Sequence, residues 1–211
     1  MASPTAPLPG SVAVGGSRTR DIAAVIGVLV VVVAAIVSVA VLRHGGSAAL
    51  FEGVPASTRS PVPDRGSDFI ESNGSYSLRV GDDWDRVDIA SGAAWYTGTG
   101  SRTFRDNVAV IIEDLPTRLS LADYVTLSVS NASRGNLGFV EQRRDPVVLS
   151  DGRDAILIDY TSSQRGFDLR HRLVVTVHDL VAVSVTFTSE NTRFDAAVLG
   201  VEPYLRTINL R

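Results

Sequence analysis

The chain has 211 residues, a formal net charge of −3 and no cysteine. The missing thiols exclude disulfides, thiolate metal sites, a cysteine nucleophile and the lipidated cysteine of a lipoprotein. All 20 basic residues are arginines, scattered among acids, which leaves no basic field for nucleic acid.

Residues 1–20 are rich in Pro, Gly, Ser and Ala and carry too little bulky apolar surface to bury, so a disordered tail is expected. Residues 22–42 follow as an apolar run of 21 residues with Ser38 as its polar interruption. As a helix this run is about 31 Å long, which matches the hydrocarbon core of a bilayer. It exceeds the apolar region of a cleaved signal and is closed by Arg43, so a retained single-pass anchor over residues 21–43 is expected. Arg18 and Arg20 precede it, and the positive-inside bias puts the tail in the cytoplasm and the remainder outside the plasma membrane. Residues 44–67 read as a flexible linker, and residues 68–211 suffice for one domain with one core.

Within that domain the hydrophobic period alternates between strand and helix. Residues 75–80 place Tyr76, Leu78 and Val80 on one face, and residues 107–113 do the same with Val108, Val110 and Ile112. Residues 93–97 form a further expected strand before a Gly-rich turn. Ser120 and Asp123 have the form of a capping box that opens a helix over residues 121–132. Strands are then expected over residues 146–150, 153–161, 167–178 and 181–188, with Asp151-Gly152 and Asp179-Leu180 as turns. Thr192 and Asp195 repeat the capping pattern, and Phe194, Val198, Val201, Leu205 and Ile208 follow at helical spacing, although Pro203 should kink or shorten this last helix. Antiparallel strands with one helix in the middle and one at the end give an α+β fold, a sheet flanked by helices.

Few of the residues carry chemistry. The G-x-S-x-G elbow is absent, and GTGS at residues 98–101 lacks the lysine and following helix of a phosphate loop. His171 and His178 lie seven apart on one strand, which sends them to opposite faces and prevents them from sharing a metal. Asp82, Asp83 and Asp85 around Trp84 lack calcium-loop spacing and read as a solvated turn. An enzyme would need His171 paired with Asp159 or Asp168, the one pairing available. Asp168, Arg170, Arg172, Thr176 and His178, beside Ser184, Thr186 and Thr188, read as an outward polar face that either binds a polar head group or partner or is simply solvated. Tyr76, Trp84, Trp95 and Tyr96 are the candidate apolar or stacking contacts in a cleft between sheet and helix, with plain core packing as the alternative. No catalytic residue, metal ligand or cofactor site is expected.

The segments SYSLRVGDDW, NVAVIIEDLPTRLSLADYV, DGRDAILIDYT and VHDLVAVSVTFTSE occur in the order found in the LpqN/LpqT-type actinobacterial envelope proteins, which the chain resembles over about residues 68–210. The resemblance implies a PsbP-like fold and a non-enzymatic, extracytoplasmic accessory module of an actinobacterial cell envelope. It also implies a part in handling trehalose-linked mycolate lipids and their exporters. The expected partners are therefore the membrane lipid bilayer and an envelope glycolipid or a membrane transporter, with no nucleic acid. The chain departs from that family by an apolar helix in place of the lipidated cysteine and by Gly81 where proline is common. The alternative role is a protein-interaction scaffold for a transporter or envelope-synthesis complex.

Overall fold

The computed structural model describes residues 61–71, 74–89, 92–101 and 104–211; the expected tail, the membrane anchor and most of the linker lie outside the described residues. Among the described residues no helix is long and apolar enough to cross a membrane. In chain order the elements are β1 (Ser67–Ile70), β2 (Tyr76–Val80), β3 (Asp85–Ile89), β4 (Gly92–Gly100), β5 (Arg105–Asp114), α1 (Leu121–Gly135), β6 (Val140–Val148), β7 (Asp154–Gln164), β8 (Phe167–His178), β9 (Val181–Glu190), α2 (Phe194–Leu205) and β10 (Asn209–Leu210).

The strands form two antiparallel sheets, one of seven strands in the order β3-β4-β5-β9-β8-β7-β6 and one of three in the order β1-β2-β10. Two-residue turns set the register at the centre of the large sheet. Gln164 pairs with Phe167 across Arg165-Gly166, and both turn residues have positive φ, the conformation that matches the twist of a tight hairpin. His178 pairs with Val181 across Asp179-Leu180, and Asp179 has a φ of 53°. Pro146 falls in β6, an edge strand, where a missing N–H costs no ladder bond.

One face of the large sheet is sealed. Val108, Val110, Leu157, Val174, Val185 and Phe187 pack there against α2 and the small sheet. Phe194, Val198, Val201 and Leu205 of α2 are all buried, and each such side chain contributes about 1.5–3 kcal/mol relative to exposure. The same face holds a buried ion pair, in which Arg172 Nε and Nη2 donate to the two Asp159 oxygens at 2.8 and 2.6 Å. Arg172 also meets Glu202 of α2, which is in turn paired with Arg206. Arg170 reaches Asp195 at 3.0 Å and lies over the Phe194 ring. The outward polar face expected on β8 is corrected at its centre: Arg172 and Thr176 are buried, with Arg172 against Glu202 of α2, while Asp168 and His178 at the ends of the row are exposed.

The other face carries α1 over a separate apolar cluster that includes Tyr124, Val125, Ile158, Tyr160 and Val175. The expected capping box forms, since Ser120 Oγ accepts from the Asp123 N–H at 3.1 Å and donates to its carboxylate. The second capping box does not. Arg193 is the N-cap of α2 without a side-chain cap bond, since a guanidinium has no acceptor to offer the helix N–H groups, and the Asp195 carboxylate is engaged by Arg170. Pro203 stands inside α2, the helix stops two residues later, and Ile208 is buried beyond it.

Removing one partner of a buried pair leaves an uncompensated charge, so Asp159→Ala should cost about 3–5 kcal/mol of stability. The double replacement Asp159→Leu with Arg172→Met should cost much less. Urea unfolding of the three proteins checks this, and equal losses in the single and double variants would refute it.

Candidate functional site

Residue parity on the α1 face places several polar groups beneath a helix. Thr186 pairs with Leu173, Thr188 with His171 and Ser184 with Val175, so these hydroxyls share the α1 face. Arg170 and Arg172 lie on the opposite face, with α2. On β5, Ile111 and Glu113 take the parity opposite to Val108, Val110 and Ile112 and so also point under α1.

A cavity of about 70 Å³ lies between this face and α1. Leu115, Leu119, Phe139, Ile158, Tyr160 and Leu173 supply apolar wall, while Glu113, Tyr124, Asn136, Ser184 and Thr186 supply polar atoms. Leu127 also lines it and is 42% exposed. The roof is lightly seated, since Tyr124 and Val125 are the buried residues of α1.

The electrostatics of the cavity follow from burial. The Tyr124 hydroxyl donates to Glu113 Oε2 at 2.9 Å. Desolvation holds the Glu113 carboxyl above its ordinary range, and the Tyr124 hydrogen bond partly offsets that rise. Burial, together with the adjacent carboxylate, pushes the Tyr124 phenol up to about 12. At the far end of α1, Asn136 Nδ2 donates to the Ala132 carbonyl at 2.9 Å, which orients the amide and leaves Oδ1 without a hydrogen-bond partner.

Apart from Ser184 and Thr186, the residues singled out from sequence lie elsewhere and do not converge. Tyr76 and Trp95 are buried between the two sheets, each against Phe69. Trp84 packs on Tyr204 of α2, with ring centres 5.1 Å apart. Tyr96 carries the Arg105 guanidinium over its ring. Arg170 and Arg172 form the network under α2. His171 is the nearest to the cavity. It stacks on Tyr160 at 4.4 Å, with Ser162 and Thr188 at its two ring nitrogens. Burial lowers its pKa to about 3, which keeps it neutral. Neither nominated aspartate reaches it: Asp159 pairs with Arg172 on the opposite face, and Asp168 accepts from Ser163. Among the described residues, no three His, Asp or Glu side chains are grouped to hold a metal ion.

Glu113 and Asn136 are not among the residues that the sequence singles out. A signal for Glu113 was present, because an acid that alternates with Ile111 on a central strand must face the interior or a cleft. Asn136 had none, since a helix C-cap amide is common at surfaces.

A carboxyl with a raised native pKa binds more protons folded than unfolded, so its ionisation lowers stability as pH rises from the unfolded value through the native one. Glu113→Gln should thus gain stability relative to the parent as pH rises across that window. Denaturant midpoints measured at intervals from pH 4 to pH 8 check this, and a pH-independent difference would contradict it.

No protein-family model matches the chain, and no curated protein is significantly similar to it. Solved structures do match. A protein of unknown function from Pseudomonas aeruginosa, PA94, aligns with a TM-score of 0.52 at 18% identity over 70% of this chain and 98% of its own. LpqN of Mycobacterium tuberculosis, described as involved in cell envelope biogenesis, aligns with a TM-score of 0.52 at 13% identity over 68% and 90%. The cyanobacterial PsbP of Synechocystis aligns with a TM-score of 0.50 at 15% identity over 69% and 92%. At these identities the likeness concerns the fold, and it shows that the described domain has a PsbP-like α+β fold.

Proposed function

We propose that the chain is a non-enzymatic accessory module of an actinobacterial cell envelope, of the LpqN type, that binds the apolar part of an envelope lipid or glycolipid and assists its export. The observation that carries this reading is the apolar cavity with a polar end beneath α1, which has the make-up of a small-ligand site. The apolar run at residues 22–42 would tether the domain to the outer side of the plasma membrane, within reach of such lipids. The fold likeness to LpqN is in keeping with that compartment. The non-enzymatic part of the reading is supported by the immobilised His171, whose ring nitrogens face buried hydroxyls rather than a carboxylate.

A second reading, a scaffold for a membrane transporter or envelope-synthesis complex, is favoured by the exposed apolar side chains of Leu137, just after α1, and Val140, at the start of β6.

Affinity capture of the full-length chain in mild detergent from the membranes of its source, with co-purifying lipids and proteins identified by mass spectrometry, separates the two. The lipid reading expects one envelope lipid enriched at least about fivefold over a tag-only control, and its loss when Leu173→Trp fills the cavity. Enrichment of a transporter without lipid would support the scaffold instead, and lipid retained by Leu173→Trp would remove the cavity from the argument.

A further inference from the structure

Among the described residues, Glu113 is the one acid that lines the cavity beneath α1, and no arginine or histidine lines it. We infer that ligand uptake there is coupled to a proton: an uncharged apolar chain end binds while Glu113 is protonated and is released as the carboxyl ionises. This rests on the ligand-binding reading above and gives that site its regulation. The elements around Glu113 bring it no cation. On β5, the third strand of seven, it stands opposite Ala182 of β9, which stands opposite Val177 of β8. Asp114 takes the other face of β5 and is exposed. The segment that leads to α1 turns Leu115 and Leu119 to the cavity, whereas Arg118 is exposed and pairs with Asp179, as does His178. From α1 come Tyr124 and Ser128; Asp123 is exposed and bonded to Ser120, and Arg134 is held at the far end by Ser130 and Asn131. Burial pushes the Tyr124 and Tyr160 phenols up and lowers His171 to about 3, so these groups stay neutral through the range in which a carboxyl titrates.

The ionised carboxyl therefore depends on the Tyr124 hydrogen bond and on hydration. Ser128 and Ser184 donate to the Tyr124 oxygen, which commits the phenol proton to Glu113 Oε2 at 2.9 Å. That bond favours the charged form, and desolvation opposes it more strongly. A hydrocarbon chain laid along Leu173, Ile158 and Phe139 takes the volume, about 70 Å³, through which water would reach the carboxyl. The loss of hydration falls on the carboxylate far more than on the neutral acid. By linkage, a ligand that prefers the neutral acid raises its pKa further, and each unit of that rise weakens binding to the ionised form about tenfold. Affinity is full below the pKa of the ligand-free chain and falls as pH rises from that value to the pKa of the complex. A ligand carrying an ammonium group would show the opposite sign, because it would pair with the carboxylate.

The test titrates cyclopentane, which has no ionisable group, into the full-length chain in phosphatidylcholine nanodiscs. Set vapour pressures fix its activity whatever the lipid absorbs, and the methyl resonances of Leu173, Ile158 and Val129 give a site-specific readout from pH 4 to pH 8. The affinity of the parent should fall about tenfold across that range. Glu113→Gln keeps an acceptor for Tyr124 and removes the ionisation, so its affinity should stay flat at the low-pH level of the parent. Tyr124→Phe removes the bond that favours the charged form and should move the fall to higher pH. A parent affinity that is constant or rises with pH, or a Glu113→Gln variant that keeps the parent's pH dependence, would overturn the coupling while leaving a ligand site. Methyl resonances unmoved at every pH would instead remove the ligand-binding reading itself.

Discussion

The register of the β7–β8–β9 meander governs everything else in this domain. Each hairpin closes with two residues, so the numbers of paired residues sum to an odd value, and side chains that share a face have opposite parity on neighbouring strands. That arithmetic puts Leu157, Val174 and Val185 on one face and Ile158, Leu173 and Thr186 on the other. A single-residue slip in the Arg165-Gly166 turn would put Asp159 and Arg172 on opposite faces. The positive φ values at Arg165, Gly166 and Asp179 are where the backbone holds this register.

The two faces that result are unequal. Beneath α2, four apolar side chains and a chain of alternating charges running from Asp159 through Arg172 and Glu202 to Arg206 join helix to sheet. The charges there pair with one another, so the interface gains in specificity of docking even where the net energy of buried ion pairs is small. Beneath α1, the sheet presents Ser184, Thr186, Thr188 and Glu113, and the helix answers with few buried groups. The two helices are thus seated unequally, α2 by four buried apolar side chains and α1 by Tyr124 and Val125.

Much of this plan was legible from residue patterns. The alternation in NVAVIIE, the Ser120 and Asp123 cap and the apolar spacing of α2 predict elements that form within a few residues of the expected bounds. The edge strand β6 was foreshortened in the reading because its first residues, VEQRRD, are mostly polar. Charged side chains on an edge strand discourage pairing with another molecule, and they also erase the period that would reveal the strand. β3 was hidden in the acidic stretch after Trp84, and β1 and β10 were too short to show a period. The polar face was misassigned for a different reason: alternation was followed along each strand without the odd sum across the turn, so Arg170 and Arg172 were grouped with the serine and threonines of the opposite face.

Residue type was also a poor guide to the site. Large aromatics and arginines attracted attention, yet Tyr76 and Trp95 close the space between the sheets and the arginines dock α2, both tasks that require bulk or bidentate pairing. The groups beneath α1 are small or uncharged apart from Glu113, and a cavity needs such residues, because bulky ones would fill it.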